Sequence, residues 1–171
     1  MANSYLNVSG LPFGLRNNNP GNVRAFDNWR GMIGTNNGFC VFENVAWGVR
    51  AFLTDLRTDM RQGQNTIRKL ITEYAPPAEN NTAAYINYVV QRTGIAADTA
   101  LQENTETFKR LARAIIDMEV GVNYSHYVTD SDIMEGISLM SGGVSAGTVG
   151  LGLSGVVLLI ASILFYREVI K

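Results

Sequence analysis

Residues 105–121, TETFKRLARAIIDMEVG, contain the most informative pattern in the chain. Its apolar side chains recur at steps of three and four residues, which predicts a helix over residues 105–120 that Gly121 ends. The stripe expected to face the core consists of Phe108, Leu111, Ala112 and Ile115, and its last member is Glu119. Charged residues follow the opposite side, which predicts a solvated face made of Glu106, Arg110, Arg113 and Asp117.

Glu119 is the first candidate for a catalytic residue, because it is a carboxylate at the end of a core-facing stripe. Desolvation and the negative end of the helix dipole both raise the pKa of such a group. A carboxylic acid that stays protonated near neutral pH is what an enzyme that cleaves glycosidic bonds needs as its general acid. The spacing alone is equally compatible with two non-catalytic arrangements: Glu119 reaches solvent from a frayed helix end, or residues 122–124 satisfy it.

Two further carboxylates are backup candidates for the same role. Glu79 lies in the polar loop PPAENNT, residues 76–82, and Glu43 precedes a predicted helix. Each also fits a simple structural role, because a polar loop keeps acidic residues in solvent and a helix N-terminus favours negative charge.

The rest of the first 135 residues contains sequence patterns typical of helices and of turns in alternation. Asn19-Pro20-Gly21-Asn22 predicts a turn, and alternating bulky side chains predict a short strand at residues 38–42. Helical periodicity begins after Asn44, and cap and breaker residues divide it into three helices, at about residues 45–62, 66–74 and 82–92. A further short helix fits residues 99–102. These patterns predict a mainly α fold of the α+β class.

The composition excludes several classes of protein. The chain has 171 residues, a net charge of −1 and a pI near 5.8, whereas domains that hold nucleic acid by bulk electrostatics are strongly basic. We therefore expect no nucleic-acid partner. A single Cys and a single His exclude an internal disulfide and a zinc site of the usual kind. No metal or cofactor is expected, and carboxylate chemistry is the remaining catalytic option.

The C-terminal part of the chain differs from the rest, because residues 136–166 contain no charged side chain. A membrane-spanning helix needs about 20 apolar residues, and the sequence predicts one at residues 146–166. The predicted organisation is an N-terminal arm (residues 1–13), a folded domain (14–139), a Gly/Ser linker (140–145), this membrane helix (146–166) and a charged tail (167–171). The N-terminus lacks a basic region followed by an apolar core, so no cleavable signal peptide is expected.

Several motifs together resemble those of a phage and prophage family. They are GLRNNNPGNVR at residues 14–24, AWGVRA at 46–51, YAPPAENNTAAY at 74–85 and IDMEVG at 116–121. Members of the family, which share the RNNNPGN motif, are described as virion structural proteins or as lytic transglycosylases of lysozyme-like fold that degrade peptidoglycan. The resemblance covers residues 14–139. It departs from the family pattern at the last helix, where Glu-Val-Gly replaces the commoner Glu-Asn-Gly.

The resemblance implies a lysozyme-like fold whose parts follow a circularly permuted order. In lytic transglycosylases a glycine-rich hairpin faces the catalytic Glu across the sugar-binding cleft. Here the hairpin-like region comes first and the helix ending at Glu119 comes last, so we expect Glu119 to face the turn at residues 16–24. The candidate substrate-binding residues are Arg16, Asn19, Asn22 and Tyr85, for which turn-forming or core roles are equally open.

These expectations combine into one function and one alternative. The function is a virion-associated, membrane-anchored lytic transglycosylase or muramidase that opens the host cell wall during phage genome entry. It acts on the β-1,4 bond between N-acetylmuramic acid and N-acetylglucosamine. Its expected partners are peptidoglycan glycan strands, a lipid membrane contacted by residues 146–166, and other virion proteins, and its expected location is the virion or, after ejection, the host membrane. The alternative is a non-catalytic virion membrane or structural protein that keeps a lysozyme-like fold.

Overall fold

The computed structural model describes residues 2–78 and 81–141. Within these residues the chain forms helices and one hairpin, whose buried apolar side chains share a single core. In chain order the elements are α1 (Phe13–Arg16), β1 (Met32–Asn36), β2 (Phe39–Phe42), α2 (Val45–Arg61), α3 (Ile67–Tyr74), α4 (Thr82–Thr93), α5 (Thr105–Val120), a 3₁₀ helix (Ser125–Tyr127) and α6 (Asp130–Ser141).

Helix α5 presents its predicted apolar stripe to the core, and it packs against both α4 and α6. Leu111 and Ile115 are among the most deeply buried side chains. Asp117 departs from the prediction of a solvated face, since it is only 3% exposed. Its carboxylate accepts hydrogen bonds from Arg92 and Tyr88 of α4, so it lies at the α4–α5 contact rather than in solvent.

Helix α6 is not predicted by the sequence patterns, yet it packs extensively along α2. Gly136 makes the close approach possible, because a Cβ at this position would lie 2.6 Å from Cγ1 of Val49. Tertiary packing therefore stabilises a helix whose local pattern is weak. Residues 99–102, where the sequence predicts a short helix, are not helical.

Side-chain caps define where the longer helices begin. An Asn or Thr oxygen accepts a hydrogen bond from the backbone N–H three residues further on at Asn44, Thr66, Asn81 and Asn104. A cap of this kind contributes about 1 kcal/mol. Gly94 ends α4 with a φ of 69°, in the left-handed region that glycine enters freely.

Strands β1 and β2 form an antiparallel hairpin near the start of the chain. Asn36 pairs with Phe39, and the two residues between them, Asn37 and Gly38, have φ angles of 48° and 81°. A two-residue type I′ turn requires positive φ at both central positions, and Asn-Gly is its preferred sequence. β2 is largely buried and corresponds to the strand predicted at residues 38–42.

An asparagine-rich turn at residues 17–22 packs between the hairpin and α2. The Asn18 side chain accepts a hydrogen bond from the Tyr5 N–H and donates one to the Phe42 carbonyl oxygen. Gly48 lets α2 lie directly against this turn, because a Cβ there would be 2.1 Å from the Asn18 carbonyl oxygen. The turn is therefore fixed from both sides, which determines where its remaining side chains point.

The structure corrects the predicted fold class of a mainly α, lysozyme-like and circularly permuted domain with a C-terminal membrane helix. The described residues form a mixed structure of helices and a small two-stranded sheet. No helix within residues 2–78 and 81–141 is long and apolar enough to cross a membrane. The longest of them, α2, has 17 residues and carries several charged side chains, whereas a span needs about 20 apolar residues. The span predicted at residues 146–166 lies outside the described residues.

Candidate active site

Glu119 lies in the last turn of α5, where this helix meets the asparagine-rich turn. Its Oε2 accepts a hydrogen bond of 2.9 Å from Nδ2 of Asn22, and its Oε1 accepts one of 3.1 Å from the Tyr85 hydroxyl. The residue as a whole is half-buried. Residues from three separate parts of the chain thus meet at one carboxyl group.

The conformation of the turn directs Asn22 toward Glu119. Asn22 has a φ of 49°, a left-handed conformation that Asn tolerates better than most residues. Gly14 of α1 leaves room for the amide, because a Cβ at position 14 would lie 2.8 Å from Asn22 Oδ1. Asn22 Nδ2 also lies 3.4 Å from the Glu119 carbonyl oxygen. The same amide therefore contacts both the side chain and the backbone at the end of α5, where carbonyl groups lack helical partners.

Two buried tyrosine rings form one wall of the site. Tyr85 of α4 and Tyr74 at the end of α3 pack edge to face, with ring centroids 6.4 Å apart and planes at 82°. The Tyr74 hydroxyl donates a hydrogen bond to the Gly21 carbonyl oxygen, which ties the asparagine-rich turn to α3. The rings therefore cover one side of the Glu119 carboxyl and exclude water from it.

Burial raises the pKa of Glu119 from an ordinary value of 4.5 to about 7. The hydrogen bonds from Asn22 and Tyr85 oppose this rise, because both donors stabilise the charged form. Burial also raises the pKa of Tyr85 and Tyr74 well above the usual value, and the Glu119 charge adds to the effect. Both hydroxyls therefore stay protonated, while Glu119 is present in both protonation states near neutral pH.

Similarity to a phage protein extends over most of the chain. Protein P5 of Pseudoalteromonas phage PM2 is 38% identical to the chain over 117 residues, which make up 64% of the chain and 72% of P5. The chain belongs to the P5 family. This membership confirms the phage origin that the sequence motifs predict. No protein-family model matches the chain.

In this member of the P5 family, two of the four predicted substrate-binding residues lie at the candidate acid and two do not. The two at the acid are Asn22 and Tyr85. The Asn19 side chain is fully buried and bonds to backbone groups of residues 23 and 40, so its role is to form the turn. Arg16 is exposed, and its guanidinium lies 5.9 Å from the centre of the Phe13 ring.

Of the two backup acids, only Glu43 lies among the described residues. Glu43 has an exposed side chain immediately before the cap of α2, and no hydrogen bond among residues 2–78 and 81–141 joins it to Glu119. Glu79 lies outside the described residues. Of the two acids that the structure describes, Glu119 alone contacts predicted substrate-binding residues.

The sequence patterns do not single out Asp55, a carboxylate of α2 that is only 8% exposed. A signal for it exists, since Asp55 follows Phe52 by three residues and Gly48 by seven, and such spacing places all three on one helix face. That face contacts the asparagine-rich turn, because Phe52 packs on Gly21. Helix α2 contains two acidic residues, Asp55 and Asp59, next to its apolar stripe.

The chemistry that these groups support is proton transfer. Within residues 2–78 and 81–141, no three His, Cys, Asp or Glu side chains are placed to hold a metal ion. The pKa of Glu119, about 7, suits a group that donates a proton near neutral pH and takes one back. Asn22 and Tyr85 each hold one of its two oxygens by a hydrogen bond.

Proposed function

We propose that this P5-family chain is a virion-associated enzyme that cleaves the β-1,4 bond between N-acetylmuramic acid and N-acetylglucosamine in host peptidoglycan. The observation that carries the proposal is the half-buried Glu119 carboxyl, with a pKa of about 7, held by the Asn22 amide and the Tyr85 hydroxyl. Membership of a phage family supports a role in the particle, because a phage must pass the host cell wall to deliver its genome. Local opening of the wall and contact with other virion proteins are parts of this proposal.

In the first step Glu119 acts as the general acid. Its carboxyl proton moves to the glycosidic oxygen, the bond from that oxygen to the muramoyl C1 breaks, and positive charge develops on the muramoyl ring. The hydrogen bonds from Asn22 and Tyr85 become stronger as the carboxylate charge forms. General acid catalysis by a positioned side chain accelerates such reactions by about 100- to 10,000-fold.

In the second step the Glu119 carboxylate acts as the base. It takes the proton of the muramoyl 6-hydroxyl as the 6-oxygen attacks C1, which closes an anhydro ring and restores the acid. Attack by water at C1 gives the hydrolytic product instead. One carboxylate suffices for the intramolecular route, whereas most glycosidases use two. The wall formed by Tyr74 and Tyr85 favours the intramolecular route, because it limits the approach of water.

The test uses the full chain and purified peptidoglycan. The wild type, Glu119→Gln, Glu43→Gln and Glu79→Gln are each incubated with the substrate, and the released muropeptides are identified by mass spectrometry. We expect Glu119→Gln to lose activity by about 100-fold or more. The other two variants should keep their activity, because the proposal assigns the acid to Glu119 alone.

Circular dichroism confirms that each variant is folded before its activity is interpreted. An active Glu119→Gln variant would refute the assignment of the acid, whatever the other two variants do. A folded wild type that releases no muropeptides would refute the enzymatic proposal, and a non-catalytic virion structural protein would be the function in its place.

A further inference from the structure

A cavity lined by charged side chains lies where helix α5 meets α4 and the first residue of α6. Its volume is about 240 Å³. We call its six lining residues the basic groove: Arg92, Glu106, Lys109, Arg110, Arg113 and Asp130. Four of them are cations and two are acids, so the lining is positive although the whole chain has a net charge of −1.

Backbone carbonyl groups hold two guanidinium groups of the basic groove in place. Nη1 of Arg110 donates a hydrogen bond to the Thr93 carbonyl oxygen, at the end of α4. Nη1 of Arg113 donates to the carbonyl oxygens of Ser125 and Val128, and the Arg113 side chain is only 18% exposed. A ligand would therefore meet donors whose positions the fold already fixes, which lowers the entropy cost of binding.

The acids of the basic groove do not match its cations. Lys109 and Arg113 share one exposed carboxylate, that of Asp130. Arg110 pairs with Glu106 across one helical turn, and exposed pairs of this kind are weak. A guanidinium carries five N–H donors, whereas the described contacts use two at Arg110 and three at Arg113. Positive charge and N–H donors thus remain for a negative ligand.

The basic groove is separate from the candidate active site. Arg92 and Tyr88 of α4 donate hydrogen bonds to Asp117, whereas Tyr85 of the same helix donates one to Glu119. Asp117 and Glu119 are two residues apart, so their side chains leave α5 in directions about 200° apart. Neither Glu119 nor the residues that bond to its carboxyl line the cavity. A ligand in the groove would therefore not compete for the Glu119 carboxyl.

We propose that the basic groove binds a single phosphate group, either free phosphate or the headgroup of an anionic phospholipid. Guanidinium groups form paired, charge-assisted hydrogen bonds with phosphate oxygens, and phosphate offers more acceptor oxygens than a carboxylate does. A single small cavity accommodates one such group, whereas nucleic acid is held by an extended surface of a strongly basic domain. The inference does not depend on cleavage of peptidoglycan.

The test titrates inorganic phosphate into the full chain at constant ionic strength, with acetate as the control anion. The affinity is obtained from the rise in thermal stability, because a ligand that binds the folded state stabilises it. The groove variant is Lys109→Gln/Arg110→Gln. The matched control, Arg61→Gln/Lys69→Gln, removes the same number of charges from exposed positions outside the groove. A third variant, Glu106→Gln, removes an acid from the groove instead.

We expect the groove variant to bind phosphate about tenfold more weakly than the wild type, because it loses two charge-assisted contacts. The matched control should keep the wild-type affinity. Glu106→Gln should bind phosphate about twofold more tightly, since Arg110 loses a competing partner. Thermal unfolding without phosphate shows whether each variant is folded. A wild type that phosphate stabilises no more than acetate does, or a matched control that loses as much affinity as the groove variant, would overturn the proposal.

Lipid vesicles then distinguish the two sources of the phosphate group. The wild type and the groove variant are each mixed with vesicles of phosphatidylcholine, with or without phosphatidylglycerol, and the bound protein is measured by flotation. Both proteins contain the same apolar C-terminal residues, so only the difference between them reports on the groove. If phosphatidylglycerol increases the binding of the wild type more than that of the variant, the ligand is the lipid headgroup. Equal binding of the two proteins, together with phosphate binding by the wild type, identifies free phosphate.

Discussion

Replacement of Glu119 by Gln should stabilise the fold, and by an amount that depends on pH. In the folded chain the pKa of Glu119 is about 7 instead of 4.5, so the folded state binds this proton more tightly than the unfolded chain does. As pH rises from about 4.5 to about 7, the unfolded chain loses the proton first, and the stability of the wild type falls. The difference between the two pKa values corresponds to about 3 kcal/mol.

Chemical denaturation of the wild type and Glu119→Gln between about pH 4 and pH 8 measures this effect. The free energy of unfolding of the variant minus that of the wild type should grow by about 3 kcal/mol across this range and level off above pH 7. Any pH-independent difference in packing or hydrogen bonding cancels, because only the growth of the difference is used. Asp55 titrates in the same window but is present in both proteins, so its contribution cancels as well.

Parallel stability curves would refute this reasoning. If the difference between the two proteins changed by less than about 0.5 kcal/mol over the range, the Glu119 carboxyl would have an ordinary pKa. The asparagine-rich turn and the two tyrosines would then not desolvate it. That result would stand whether or not the protein cleaves peptidoglycan, since the measurement needs no substrate.

Three other substitutions test separate parts of the structure. Tyr85→Phe keeps the ring but removes a hydrogen bond that lowers the pKa of Glu119. The alkaline limb of the pH profile of kcat/KM for peptidoglycan cleavage should therefore move to higher pH. An unchanged limb would contradict the hydrogen bond between Tyr85 and Glu119. Gly48→Ala should lower the free energy of unfolding by about 2 kcal/mol or more, because its Cβ would lie 2.1 Å from a backbone oxygen. The control is Gly34→Ala, whose Cβ has open space around it. It should change the free energy of unfolding by less than about 0.5 kcal/mol in the same denaturation experiment. Asp117→Asn should destabilise by about 2–3 kcal/mol, because it removes a buried charge that faces an arginine of α4; a loss below about 0.5 kcal/mol by urea denaturation would place this carboxylate in solvent.

Helices with strong local signals could be predicted from the sequence, and α6 could not. The predicted end of α5 is correct, because the apolar periodicity and Gly121 are both local. Asn81 likewise caps α4 at the predicted position. Helix α6 depends instead on Gly136 fitting against α2, a contact between distant parts of the chain. In the sequence, Gly136 only marks the start of a charge-free run.

Periodicity also does not say what packs against a stripe, which is why the prediction for Asp117 is wrong. The residue lies on the charged side of α5 as predicted, but α4 covers part of that side. The partners of Asp117, Arg92 and Tyr88, are at least 25 residues away in the chain. A helical wheel can therefore identify a polar face without showing whether water or another helix meets it.

The same limit applies to the asparagine-rich turn. Its asparagines cannot be told apart by residue type in the sequence, but they have different roles in the structure. Asn18 and Asn19 bond almost entirely to backbone groups and build the turn. Asn22 has a left-handed conformation and reaches across to Glu119. Which Asn faces the acid depends on backbone angles that composition does not reveal, so the sequence could propose both Asn19 and Asn22 but could not choose between them.

The proposed role as a general acid gives a reason for the carboxyl group at position 119. A Gln there would offer an acceptor to the Asn22 amide and a partner to the Tyr85 hydroxyl. It would also avoid the cost of ionising a carboxyl group in this environment, which lowers the stability of the fold by roughly 3 kcal/mol above neutral pH. The residue that best satisfies the packing is thus not the residue present. A group that must release and regain a proton needs a pKa near the working pH, and the half-buried position supplies it.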